Sequence, residues 1–280
     1  MLLSSLRRLR LYCAGNTDEP ISDTPKNNRM LSQWLGSASL QIENFLNRFM
    51  EIKEYTEYFD MMFQRTEFFM HARPISAITS VYTEPSGIWD GRETLLTDCF
   101  VGSDGNSISL PIGMPWISKK GIRFIYIGGM AYHAVNTTIT LTSGSGTWTA
   151  GKYARDANGA LGIIISYTPA TKALVIEGYY GTFSVGASIS SYDAESGSAA
   201  ITTDTIAAIP QPSLAQLYPD IVLACEAQVR YQWKYALDFE KSSIAKDNVL
   251  IKQKGSITVG GTPFIEEVYN MLLPYRKIEI

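Results

Sequence analysis

Two stretches of this chain repeat apolar residues at steps of three and four, and they lie far apart. In RMLSQWLGSASLQIENFLNRFM, residues Leu31, Trp34, Leu35, Ala38, Ile42, Phe45, Leu46 and Phe49 share one helical face. In PSLAQLYPDIVLACEAQVRYQWKYALDFEKSS, residues Leu214, Leu217, Tyr218, Ile221, Val222, Cys225, Val229 and Trp233 do the same, with Pro219 near the start. A strand has period two, so this spacing predicts helices. The first runs from about Lys26 to Phe49, and Thr24-Pro25 suits its capped start. Gly36, Ser37, Ala38 and Ser39 make its middle thin enough for another helix to come close. A shorter helix is predicted in TPFIEEVYNMLL, with Glu266 and Glu267 in its first turn and Pro274 ending it.

Between the two long patterns the period changes. From Glu51 to Ala134, EYTEYF, ISAITSVYTE and IRFIYIGG read as strands, punctuated by Pro74, Pro85, Pro111 and Pro115. From Val135 to Ile206 the chain is rich in Gly, Ser, Thr and Ala and poor in charge. Strand signals recur there in TITLT, LGIIISY, ALVIEGYYG, TFSVGASI and SAAITTD, and TPATK joins two of them as a hairpin loop. This zone is expected to be a small all-β unit.

Inside it lies GTWTAGKY, Gly146 to Tyr153, which resembles a phosphate-binding loop except that Tyr153 replaces the final Ser or Thr. Such a loop needs a helix directly after it, whose N-terminus and amides hold the phosphates. The next residues in this chain, ARDANGALGIIISYT, run into a strand, so the glycines are read as turn residues.

Other chemistry is sparse. There are three cysteines, Cys13, Cys99 and Cys225, with no CxxC pair, which reads as reduced thiols in a reducing compartment. The two histidines, His71 and His133, belong to no HExxH or Cys/His cluster, so no metal site is expected. No GxSxG elbow occurs. Glu266/Glu267 and Asp238/Glu240 read as solvated helix faces, Asp98, Asp104 and Asp193 as loop residues, and SDGNS (103–107) as a turn rather than a calcium loop. No catalytic residue and no cofactor site is assigned, and the chain is read as a non-enzyme. The net charge of -3 and pI near 5.5 argue against a protein whose main task is gripping nucleic acid. Sixteen tyrosines serve either the core or interaction surfaces.

The N-terminal MLLSSLRRLRLYCAG has its apolar run broken by Arg7, Arg8 and Arg10, so it is no secretory signal. Leu2, Leu3, Leu6, Leu9 and Tyr12 make it a short amphipathic helix that leaves the arginines mostly to water. No apolar run is long enough to cross a bilayer.

The order of segments carries a resemblance. Ala38, Ser39, Ile42, Glu43 and Arg48 on the first helix are followed by Tyr55, Thr56, Glu57 and Asp60, then by Pro74, Ile75, Ile78, Ser80 and Val81. Ile127, Gly128 and Gly129 come next, then Leu214 and Ala215, and finally Leu273, Pro274, Tyr275 and Arg276. In this order the chain resembles the head–tail connector (adaptor) proteins of tailed bacteriophages over about three quarters of its length. It departs from that pattern between Tyr132 and Pro210, where the β-rich zone is inserted; insertions are tolerated at exposed loop tips.

The resemblance implies an α+β fold: a core of long amphipathic helices with a small strand region, plus an inserted all-β domain, barrel- or sandwich-like. The expected boundaries are 1–135 and 209–280 for the connector core and 136–208 for the insert. It implies no chemistry and no cofactor. It implies a structural virion protein in the neck, made in the host cytoplasm, that assembles with itself as a dodecameric ring beneath the portal protein. The ring extends the DNA channel, lets viral DNA pass without specific contact, touches no membrane, and docks a tail or neck completion protein. Such a ring has a heterologous interface. The portal or neighbouring-subunit contact is expected at Leu273, Tyr275, Arg276, Ile278 and Ile280, with KIEI adding as a strand to its partner. The insert is expected to face outward and to be dispensable for assembly. Two other readings stand beside this one. One is a neck or surface protein whose β-domain binds a host receptor or glycan. The other is an enzyme with a site of scattered residues, recognisable by a deep pocket with convergent Asp, Glu or His.

Overall fold

The computed structural model describes residues 1–14, 21–62, 64–113, 116–244 and 264–276. The chain divides into two compact units, Asn47–Tyr132 and the remainder, Met1–Leu46 with His133–Ile280.

Among the described residues, the Asn47–Tyr132 unit is built of seven strands: β1 (Lys53–Met61), β2 (Glu67–Phe69), β3 (Ile75–Thr83), β4 (Thr94–Leu96), β5 (Phe100–Val101), β6 (Ser107–Ser109) and β7 (Ser118–Gly128). One sheet has the order β1-β7-β3-β4 and the other β2-β6-β5. The alternation in EYTEYFDM turns Tyr55, Glu57, Phe59 and Met61 inward and leaves Thr56, Tyr58 and Asp60 exposed. Phe68, Ile108, Ile122, Phe124 and Tyr126 complete the core with Met61 and Val81. The Glu57 carboxylate on that inner face is satisfied: it accepts the Tyr126 hydroxyl and lies 2.7 Å from His71 Nδ1. Gly128 and Gly129 close the central strand where no side chain fits. A Cβ on Gly128 would stand 2.2 Å from the Ala72 carbonyl oxygen, and one on Gly129 2.3 Å from that of Glu51.

Among its described residues, the larger unit holds five helices and a barrel. Its helices are α1 (Leu6–Ala14), α2 (Pro25–Leu46), α3 (Leu214–Leu217), α4 (Pro219–Ile244) and α5 (Glu266–Leu272), the last continuing into a 3₁₀ turn, Leu273–Tyr275. The strands are β8 (Asn136–Leu141), β9 (Tyr153–Asp156), β10 (Leu161–Thr168), β11 (Ala173–Tyr180), β12 (Ser188–Tyr192) and β13 (Thr202–Gln211). They close in the order β10-β11-β8-β13-β12-β9 around Ile139, Leu141, Trp148, Ile164, Leu174, Ile176, Phe183, Ile189 and Ile206. GTWTAGKY is part of this barrel. Gly146 and Gly151 take positive φ, Trp148 enters the core beside Tyr167, and Tyr153 opens a strand. In TFSVGASI the strand begins only at Ser188; Phe183 instead fills the core and donates its N–H to Gln216 Oε1 at 3.0 Å.

The expected fold class is overturned. Strand outweighs helix, in three sheets, and among the described residues there is no core of long amphipathic helices with a small strand region. The reason lies in how cheaply strands build cores here. The longer strands bury alternate side chains, and two core clusters, one in the Asn47–Tyr132 unit and one in the barrel, are made mostly by strand residues.

The thin middle of α2 takes both α4, whose Cys225 Sγ lies 3.7 Å from Ser39 Oγ, and the segment before α1. Ser39 is buried, donates to the Leu35 carbonyl at 2.7 Å and accepts the Leu3 N–H at 3.0 Å. Leu9 and Cys13 are fully buried, as an amphipathic α1 requires, and so is Leu3 ahead of it. Its arginines do not all face water: Arg8 is drawn inward by the buried carboxylate of Glu226 on α4.

Candidate functional site

Ser4 and Ser5 precede α1. Ser5 Oγ accepts the Arg8 N–H at 3.1 Å, a local side-chain cap on the first turn. The same hydroxyl donates to Glu177 of β11, and Arg7 stands 3.5 Å from that carboxylate. Arg8 bridges two elements: its Nε donates to Glu226 of α4 at 2.6 Å, and its Nη1 to the Gly178 carbonyl at 2.8 Å. Ser4 Oγ donates to the same Glu226 oxygen at 2.6 Å. Glu226 is 2% exposed, so its charge needs these partners.

That first turn forms one side of a cleft of about 840 Å³. Helix α1 contributes Arg8, Leu11 and Tyr12, and α4 contributes Leu223 and Glu226. The barrel supplies Arg155, Gly159 and Leu161 from the β9–β10 hairpin and Tyr179 and Tyr180 from the end of β11. Glu195 and Ser196, between β12 and β13, complete it.

The barrel wall is held from behind. Arg155 donates to the Glu195 and Gly197 carbonyls at 3.1 and 2.8 Å, and its guanidinium lies 4.4 Å from the Tyr192 ring centre. The Tyr179 hydroxyl is buried in the wall without a hydrogen-bond partner among the described residues. Burial, and then the Glu195 carboxylate, push its pKa well above that of an ordinary phenol, so it stays neutral. Burial likewise raises Tyr12, against the opposing hydrogen bond to Arg230. Tyr180, in contrast, is 69% exposed. The formal charges of the lining cancel: Arg8 and Arg155 against Glu195 and Glu226.

The arrangement is suited to binding. Glu226 is committed to Arg8 and Ser4, and neither histidine lines the cleft. Among the described residues, no three His, Cys, Asp or Glu side chains gather as a metal-binding group.

The interface residues expected from the sequence lie elsewhere. Tyr275 Oη donates to Asp220 Oδ2 at 3.2 Å and meets the Tyr218 ring edge-on at 6.0 Å. The Arg276 guanidinium lies 4.8 Å from the Phe45 ring centre on α2, and Phe45 also packs against Phe264 and Tyr269. Leu273 is 47% exposed. Ile278 and Ile280 lie outside the described residues. The cleft residues escaped the sequence reading because no motif joins them; Arg8 and Glu226 are 218 positions apart.

Comparison with protein-family models, and with curated proteins, found no match.

Proposed function

We propose that this protein is a structural component of a virion neck, a head–tail connector that forms a ring beneath a portal, extends the DNA channel and docks the tail or the next neck protein. One observation carries the reading beyond segment order. Segments that resemble connector proteins, though distant in sequence, are neighbours in space within each unit. Tyr55–Asp60, Ile75–Val81 and Ile127–Gly128 belong to β1, β3 and β7, which run side by side in one sheet. In the other unit, the helix bearing Ala38 and Ile42 meets the Leu273–Arg276 turn where Arg276 covers Phe45. The Gly-Gly pair within the resemblance has a steric reason in the close carbonyls of Ala72 and Glu51.

On this reading the barrel is an elaboration of the connector, joined at neighbouring strands β8 and β13, where Gln211 pairs with Thr138. The test is co-sedimentation of the purified protein with purified portal rings of the phage that encodes it, followed by negative-stain imaging. A ring of added density on the portal's tail-facing end is expected. Folded protein that fails to bind folded portal overturns the reading.

A further inference from the structure

The cleft between α1, α4 and the open end of β11 has a combination of features that virion assembly does not call for. We propose that it binds a neutral saccharide, with Tyr180 as the stacking platform and the Glu195–Ser196 connection as the hydroxyl-binding edge. This goes beyond the connector reading and does not depend on it.

Size is the first argument. A cleft of about 840 Å³ lies within the roughly 300–1,000 Å³ range of small-ligand sites, which suits a short oligosaccharide. Surface character is the second. Tyr180 is 69% exposed although it lines a concavity, and Leu11, also in the lining, is 41% exposed. An aromatic ring held open in a concave wall offers an apolar face to the C–H side of a sugar ring. Glu195 and Ser196 are both exposed in the same cleft, and together they present acceptors and a donor to sugar hydroxyls.

Charge selects within polar ligands. Two arginines and two glutamates line the cleft, and Arg8 is already neutralised by Glu226. Phosphorylated or sulfated ligands and nucleic acid therefore meet no net positive field. An extended peptide meets no strand edge, because the barrel is closed by the β9–β10 pairing. The space in front of Gly159 is open, since an added Cβ there would meet nothing within 4 Å.

The site is shared between helices and barrel. Five of its twelve lining residues, Arg8, Leu11, Tyr12, Leu223 and Glu226, come from α1 and α4. An isolated barrel lacks that side, so the whole chain must be used in any binding assay.

The experiment is a glycan array carrying neutral, sialylated and sulfated oligosaccharides, probed with the full-length protein. The best neutral binder is then titrated by calorimetry against wild type, Tyr180→Ala and Glu195→Ala. Both side chains are exposed, and unchanged melting temperatures confirm intact folds. Binding to neutral members is expected, weakened about tenfold by Tyr180→Ala and roughly fivefold by Glu195→Ala. Array binding confined to charged glycans, no glycan binding, or neutral binding that neither substitution weakens would each overturn the proposal.

Discussion

Asp204 shows how a single buried side chain sets a pH limit. It accepts four hydrogen bonds, from Ser143 N, Ser143 Oγ, Gly144 N and Thr205 N, at 2.7 to 3.2 Å. Burial pushes its carboxyl upward, but these bonds outweigh burial and hold it below the ordinary aspartate value. A carboxyl depressed in the folded state contributes stability at pH above its unfolded value, and that contribution is lost as pH falls through the folded value. Asp204→Asn keeps the shape but loses the charge-assisted bonds. We expect it to cost about 1–2 kcal/mol at neutral pH and to flatten the acid side of the stability curve. Urea titrations of both proteins from neutral to strongly acid pH check this; parallel curves would reject the role. The carboxylate itself was visible in the sequence only as one Asp in SAAITTD. Its importance comes from the Ser143–Gly144 turn, 60 residues earlier, that the barrel folds against it.

At the scale of elements, α1 is held to its neighbours by polar groups as well as by Leu3 and Leu9. Arg8 joins α4 and β11, and Ser4, Ser5 and Arg7 reinforce the same two contacts. Removing one partner of a buried pair strands the other charge. Arg8→Ala is therefore expected to destabilise the protein by on the order of 3–5 kcal/mol, through the uncompensated Glu226. The double change Arg8→Met/Glu226→Leu is expected to recover most of that loss, since the buried charge is gone. Chemical denaturation of the three proteins decides it, and a double variant no better than Arg8→Ala would show that packing, not charge, was lost. Helical periodicity marked Leu6, Leu9 and Tyr12 of α1, but Leu2 and Leu3 precede the helix, Leu2 is exposed, and Arg8 was assigned to water. From spacing alone an arginine between leucines belongs in water; a carboxylate on a helix 218 residues away drew it inward.

At the scale of the whole molecule, one compact unit follows the strand zone read from Glu51 to Ala134, and the other gathers zones that composition had kept apart. The barrel zone and both long helical patterns belong to one unit, and Asn47–Tyr132 forms the other. The barrel is bonded to the helices through Glu177, Gly178, Thr137 and Phe183. Replacing 136–208 by a flexible loop thus removes partners of Ser5, Arg7 and Arg8, and a failed assembly assay with that protein must be read beside its melting temperature. The C-terminal segment allows a cleaner test of the connector proposal. Because Tyr275 and Arg276 pack on Tyr218, Asp220 and Phe45, a truncation should spare them. Removing only Lys277–Ile280 is expected to leave the melting temperature unchanged and to abolish co-sedimentation with portal rings. Retained binding would show that the docking surface lies elsewhere.

Sequence alone determined the local forms. Period-three-and-four spacing marked α2 and α4. Alternating β-branched and aromatic runs marked β1, β3, β7, β10 and β11. A strand after GTWTAGKY excluded a phosphate loop. These forms arise from short-range sterics and side-chain spacing, which neighbouring residues largely decide. Only the tertiary structure decided the balance of classes, with strand ahead of helix, because that depends on how many short strands find partners. It alone also closed the barrel and brought α1, α4 and β11 around one cleft. Strand pairing and buried charge pairing are long-range choices. Their partners are selected by desolvation and fit across the folded chain, so no local pattern announces them.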